Sequence, residues 1–155
     1  MRMLLVAVGR PRDAALAAAI HEYERRAARY WPLDVREVRD ASGRRGAAAV
    51  RDEEARALLG VLPASARLVL CDERGDALTS VQFAQLLQSE RERAAEDLVF
   101  VVGGAFGVGD AVKSLAWRLL ALAPWTLPHE LARLILAEQL YRAGTIVRGE
   151  QYHKE

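Results

Sequence analysis

Four apolar residues, Val99 to Val102, stop abruptly at Gly103 and Gly104 in the stretch VFVVGGAFGVGDAV, residues 99–112. A strand that ends in a glycine-rich loop before a helix is a common seat for a ligand. Phosphate is the first ligand to test. A P-loop needs G-x-x-x-x-G-K-[ST]. Gly104 and Gly109 have that spacing, but Asp110 stands where the lysine belongs, and a carboxylate there repels a triphosphate. The dinucleotide fingerprint G-x-G-x-x-G fails as well, because Val102 holds its first position. On the loop alone, a tight strand-to-helix turn without a ligand stays open.

A second stretch, DASGRRGAAAV (residues 40–50), sets Arg44 and Arg45 between Gly43 and Gly46. It reads either as a solvated basic turn or as an arm that grips RNA phosphates. Glu138 and Arg142 stand four apart, the spacing of a helical ion pair. Arg133 lies nine positions before Arg142, about half a turn out of phase, so the two cannot serve one patch of a helix face. His21, His129 and His153 are too scattered for a metal motif. Lone Cys71 rules out an internal disulfide and a cysteine-cluster zinc site, and fits a reducing cytoplasm.

These residues need a frame. The chain has 155 residues, 52% hydrophobic and 28% charged, which suits one globular domain over residues 1–155. No apolar run approaches the ~20 residues of a membrane span, and MRMLLVAVGRP reads as a first strand, not a signal peptide. The net charge of +1 announces no nucleic-acid binder, and of 22 basic residues only Lys113 and Lys154 are lysines. Arginine is the better phosphate fork, although a GC-rich genome also explains that bias.

Apolar runs at Met3–Val8, Val35–Val38, Leu68–Cys71, Leu98–Val102 and Leu119–Ala123 alternate with helical patterns. Leu16, Ile20, Tyr23, Ala27 and Tyr30 form one amphipathic stripe. Residues 47–62 read as a helix stopped by Pro63. Thr79 and Gln82 offer a capping box for a helix through Leu87, and Asp110 offers a cap for another. Pro128 suits a first turn before a helix over residues 129–143, which Gly144 ends. Such alternation predicts an α/β fold, a mostly parallel sheet with helices on both faces.

The C-terminal third carries the most specific pattern. TLPHELARLILAEQLYRAG (residues 126–144), the terminal QYHKE and the VVGGAFG loop together resemble the ribosomal RNA large subunit methyltransferase H family. LLVAVGRPRD, AIHEYERRAARY, ASGRRG and LVLCDERGDALTS extend the resemblance over the whole chain. The resemblance implies a SPOUT-class fold with a C-terminal deep trefoil knot and a homodimer. It implies S-adenosylmethionine as cofactor, and methylation of N3 of a pseudouridine in 23S ribosomal RNA on the assembled ribosome, with no metal and no membrane. Another RNA target, or a ribosome-binding factor without catalysis, would keep the same fold. One departure is LLALAPW (residues 119–125), where Ala121 and Ala123 replace serines frequent in the family.

Under that resemblance the glycine loop holds a methyl donor, which carries no phosphate and needs no lysine. Leu70 and Cys71, Gly103 and Gly104, and the run Ala123, Pro124, Trp125, Thr126, Leu127 and Pro128 are expected to surround it. Gly103 and Gly104 would let backbone approach the ligand where a Cβ would collide. N3 must lose its proton, so a base near neutral pKa helps. His153 is the first candidate, with Tyr152 stacking on or bonding to the nucleobase and Arg142 beside the target nucleotide. Arg44 and Arg45 are expected on RNA. His129 reads equally as an RNA or catalytic residue and as a helix-start residue. Trp117 and Trp125 suit base stacking or a core or interface role.

Overall fold

The computed structural model describes residues 1–93 and 96–154. Five strands, β1 (Met3–Val8), β2 (Leu33–Val38), β3 (Ala66–Ala77), β4 (Asp97–Val102) and β5 (Ala116–Ala121), form one parallel sheet in the order β2-β1-β4-β3-β5. The inner strands are continuous apolar runs because both their faces are buried. Along β1, Met3, Leu5 and Ala7 enter one core and Leu4, Val6 and Val8 the other, the two-residue period of a strand.

Helices α1 (Ala14–Ala27), α3 (Ser80–Glu92) and α5 (His129–Val147) cover the first face. Helices α2 (Ala47–Leu59) and α4 (Asp110–Lys113) cover the second. Crossovers over the first face run toward the β2 edge and those over the second toward β5, so all share one hand. The parallel α/β sheet expected from the alternation is the one observed. The capping box is present too, with Gln82 N–H donating to Thr79 Oγ1 and Thr79 N–H to Gln82 Oε1.

Several boundaries differ from expectation. The last strand covers residues 116–121, so Leu122 and Ala123 belong to the loop after it. Helix α2 stops at Leu59, ahead of the proline. Gly109, not Asp110, is the N-cap of α4, and Asp110 is its first residue. Gly144 does not end α5. It lies inside the helix, where a Cβ would fall 2.3 Å from the Tyr30 ring, so its missing side chain lets α1 and α5 meet. The helix ends at Val147 and is closed by Gly149, φ +68°, with Glu150 N–H donating to Thr145 O and Gly149 N–H to Ile146 O, the paired bonds of a Schellman stop.

Strand β3 meets β5 twice. Cys71 and Asp76 both pair with Leu120, and residues 72–75 bulge out between them. A Cβ on Gly75 would lie 2.4 Å from the Leu119 carbonyl carbon, so only glycine lets these backbones cross so closely. Among the described residues no helix is long and apolar enough to cross a membrane, and no group of three or more His, Cys, Asp or Glu is placed to hold a metal ion.

Candidate active site

The bulge within β3 and the loops that leave the carboxyl ends of β4 and β5 enclose a cavity of about 420 Å³. The β3 bulge contributes Cys71, Asp72, Glu73 and Arg74. The glycine loop after β4 contributes Gly103 to Val108, and the β5–α5 connection Leu122, Ala123, Trp125, Thr126 and Leu127. His129, at the start of α5, completes the wall. Of the ten residues expected around a cofactor, seven line this cavity: Cys71, Gly103, Gly104, Ala123, Trp125, Thr126 and Leu127. Leu70 does not, because its position in β3 points it into the second core, fully buried. Pro124 and Pro128 lie off the lining.

The role expected for the paired glycines also changes. A Cβ on Gly103 would meet Val108 Cγ2 at 2.5 Å, and one on Gly104 would meet Glu54 Oε2 at 2.8 Å and Val8 at 3.1 Å. The space these glycines leave is filled by the protein itself, so they compact the loop against α2 and β1. Sequence reasoning missed Glu54, whose only signal was a charged residue on the buried side of a helix. It also missed Phe106, the aromatic inside the glycine loop, and Asp72 to Gly75, where a lone glycine in a strand marked a close crossing.

The polar side of the cavity carries both signs of charge, Asp72 and Glu73 with Arg74 and Lys113. Arg74 donates to Asp72 from its backbone N–H (2.9 Å) and from Nε and a terminal nitrogen (both 3.0 Å). These bonds hold the Asp72 carboxyl below its ordinary range. Thr126 Oγ1 donates to Glu73 and ties the β3 bulge to the β5–α5 loop. Burial pushes the Cys71 thiol up to about 12, so it is not a thiolate at neutral pH. Charged groups of both signs beside apolar walls at Val102, Leu122, Trp125 and Leu127 suit a ligand with an aromatic ring and a charged, zwitterionic end.

The remaining expected residues fall into two groups. Arg44 and Arg45 form an exposed 3-10 turn, with Arg45 paired to Glu53. This turn reaches the site, since a Cβ on Gly43 would lie 3.7 Å from the Phe106 ring. Arg142, Tyr152 and His153 cluster on α5 and the tail. Arg142 Nε donates to Glu138 Oε1 at 2.9 Å, Tyr152 Oη donates to the same oxygen at 3.1 Å, and Arg142 covers the Tyr152 ring at 4.7 Å. An Arg142 terminal nitrogen lies 3.4 Å from His153 Nδ1. Arginine only donates, so in this contact Nδ1 is the acceptor. None of these three lines the cavity of its own chain. Arg133, half a turn away, is structural, buried between Glu24 (2.7 Å) and Glu37 (2.8 Å).

Residues 1–153 match the family described as "Predicted SPOUT methyltransferase". A protein of Gemmatimonas aurantiaca named Ribosomal RNA large subunit methyltransferase H is 57% identical over 155 residues, covering 99% of this chain and all of the relative. Proteins of the same name from Geobacter sp. strain M21 and Anaeromyxobacter sp. strain Fw109-5 are 43% and 48% identical, each over at least 99% of this chain and all of the relative. The chain therefore belongs to the SPOUT methyltransferase family and is a methyltransferase.

Proposed function

We propose that the protein methylates N3 of a pseudouridine in large-subunit ribosomal RNA, on the assembled ribosome, with S-adenosylmethionine as methyl donor. The observation that carries this is the 420 Å³ cavity between the β3 bulge and the carboxyl ends of β4 and β5, lined on one side by charged residues of both signs and on the other by apolar residues. The donor is a sulfonium cation with an adenine and a charged amino-acid tail. Val102, Leu122, Trp125 and Leu127 would hold the adenine, and Asp72 and Glu73 the cationic groups. When bound, the cofactor supplies an activated methyl group, so no metal is needed. The chain acts as one domain over residues 1–155. A deep trefoil knot in the C-terminal part is expected of its class.

The protein's own part is to place the base and take a proton. Arg44 and Arg45 grip backbone phosphates near Phe106. Tyr152 stacks against the target nucleobase, and His153 takes the N3 proton. For that, Nδ1 must release Arg142, so docking of the tail on RNA and activation of the base are one event. The tail cluster lies off its own cavity, so a homodimer completes the site, with the tail of one copy serving the cavity of the other. The test is to incubate ribosomes lacking the modification with protein and labelled S-adenosylmethionine, then map the methylated nucleotide. Label at N3 of one pseudouridine in large-subunit RNA is expected, and label found only on tRNA would sink the proposal.

A further inference from the structure

A second cavity, of about 210 Å³, lies where the sheet changes direction. From β1 the chain leaves through α1 on one face, toward β2. From β4 it leaves through α4 on the other face, toward β5. The carboxyl ends of these neighbouring strands therefore part, and ligands of open α/β sheets settle in such crevices. The cavity sits between Val8 and Gly9 after β1 and Gly104 to Phe106 after β4. Gly104, Ala105, Phe106 and His129 line this cavity and the cofactor cavity alike. Ligands in the two would meet across one shared wall.

Its floor is Glu54 of α2, only 4% exposed. Oε1 accepts from Ala41 N–H at 3.1 Å. Oε2 is, among the described residues, the buried side-chain polar atom left without a hydrogen-bond partner. A buried oxygen in that state is costly unless a donor arrives to complete it. At the rim Phe106 is 46% exposed. Arg10 and Arg12 line the same cavity; Arg10 reaches Glu37, which also holds Arg133, and Arg12 is tied to Asp40 in a solvent-exposed pair, which exchanges readily for phosphate. An exposed ring to stack on, cations for the backbone and a buried acceptor are what a pocket for a flipped base requires.

Resting on the substrate reading above, we infer that this cavity receives the target nucleobase and that Glu54 Oε2 accepts the N1–H of pseudouridine. Uridine has no such donor, because its N1 carries the ribose. Glu54 is then the residue that selects the isomerised base.

The test is Glu54→Gln on two matched sets of ribosomes, one with pseudouridine and one with uridine at the target. The glutamine carbonyl keeps the hydrogen bond from Ala41 and turns an NH₂ donor into the cavity. The kcat/KM preference of the wild type for pseudouridine should fall about 3- to 10-fold, the value of one buried hydrogen bond. Affinity for S-adenosylhomocysteine, read by calorimetry, and Tm should stay at wild-type values. An unchanged preference, or a loss of cofactor affinity matching the loss of rate, would overturn the inference. A wild type that methylates neither ribosome refutes the substrate reading instead. The pocket is then decided by NMR titration of the S-adenosylhomocysteine complex with pseudouridine and uridine nucleosides. Shifts of the Gly104 and Phe106 amides with pseudouridine only, lost in Glu54→Gln, support it. Equal responses to both nucleosides, or none, overturn it.

Discussion

Cys71 lies on the cofactor cavity wall with its pKa raised by burial to about 12. An ordinary cysteine, with a pKa of about 8.5, is several per cent thiolate near pH 7.5. Cys71 should therefore react with a maleimide far more slowly than a free thiol at that pH, and slower still with S-adenosylhomocysteine bound. Its raised value also penalises the folded state once the unfolded thiol ionises, so this contribution to stability is intact below about pH 8.5 and lost as pH rises toward 12. Labelling as fast as free cysteine, or without protection by ligand, would take Cys71 off the wall. Two arginines of α5 make a second contrast. Arg133 is 3% exposed and faces two carboxylates, of which Glu24 is also buried. Arg133→Met should cost about 3–5 kcal/mol in urea unfolding, because it strands a buried charge. Arg142 pairs with Glu138 at the edge of solvent. Arg142→Met should cost about 1 kcal/mol or less and fall instead on methylation.

At the scale of elements, apolar runs located the five described strands, because each central strand is wrapped on both faces, while the described α-helices were located by one apolar stripe in α1 and by caps and breakers in the others. Ends were harder to place. Gly144 carried the composition of a helix stop, yet its role is to admit the ring of Tyr30, which is far away along the chain. Leu70 sat beside Cys71 in the same run, and the alternation of the strand sends one to the core and the other to the cavity. Glu54 left almost no trace, since its burial depends on α2 crossing the sheet beneath the glycine loop. The basic turn was legible as charge but not as neighbour to Phe106. That placement makes its test sharper. Arg44→Ala with Arg45→Ala should weaken ribosome binding and flatten its salt dependence, the slope of log K against log salt falling by up to about 0.9 for each phosphate no longer neutralised. Affinity for S-adenosylhomocysteine should not change. An unchanged slope would return this turn to ordinary solvated surface.

For the whole molecule, the decisive relation is between a cavity built by the β3 bulge and two strand ends and a tail cluster built on the far reach of α5. One chain does not bring them together. In a two-fold dimer the same pair of surfaces is used twice, so two identical composite sites form. This arrangement can be tested by mixing two inactive proteins. One lacks residues 152–155 (Glu155 lies outside the described residues), and it keeps its cavity. The other carries Gly104→Val, which drives a side chain into Glu54 and Val8, and keeps its tail. Each alone should methylate almost nothing. The truncated protein should still bind S-adenosylhomocysteine, because no tail residue lines the cavity. After subunit exchange, a mixed dimer joins the good tail of one copy to the good cavity of the other and has one working site. Half the dimers are mixed at equal concentrations, so activity should recover to roughly a quarter of wild type. If each tail served its own cavity, the mixed dimer would contain no complete site, and mixing would restore nothing.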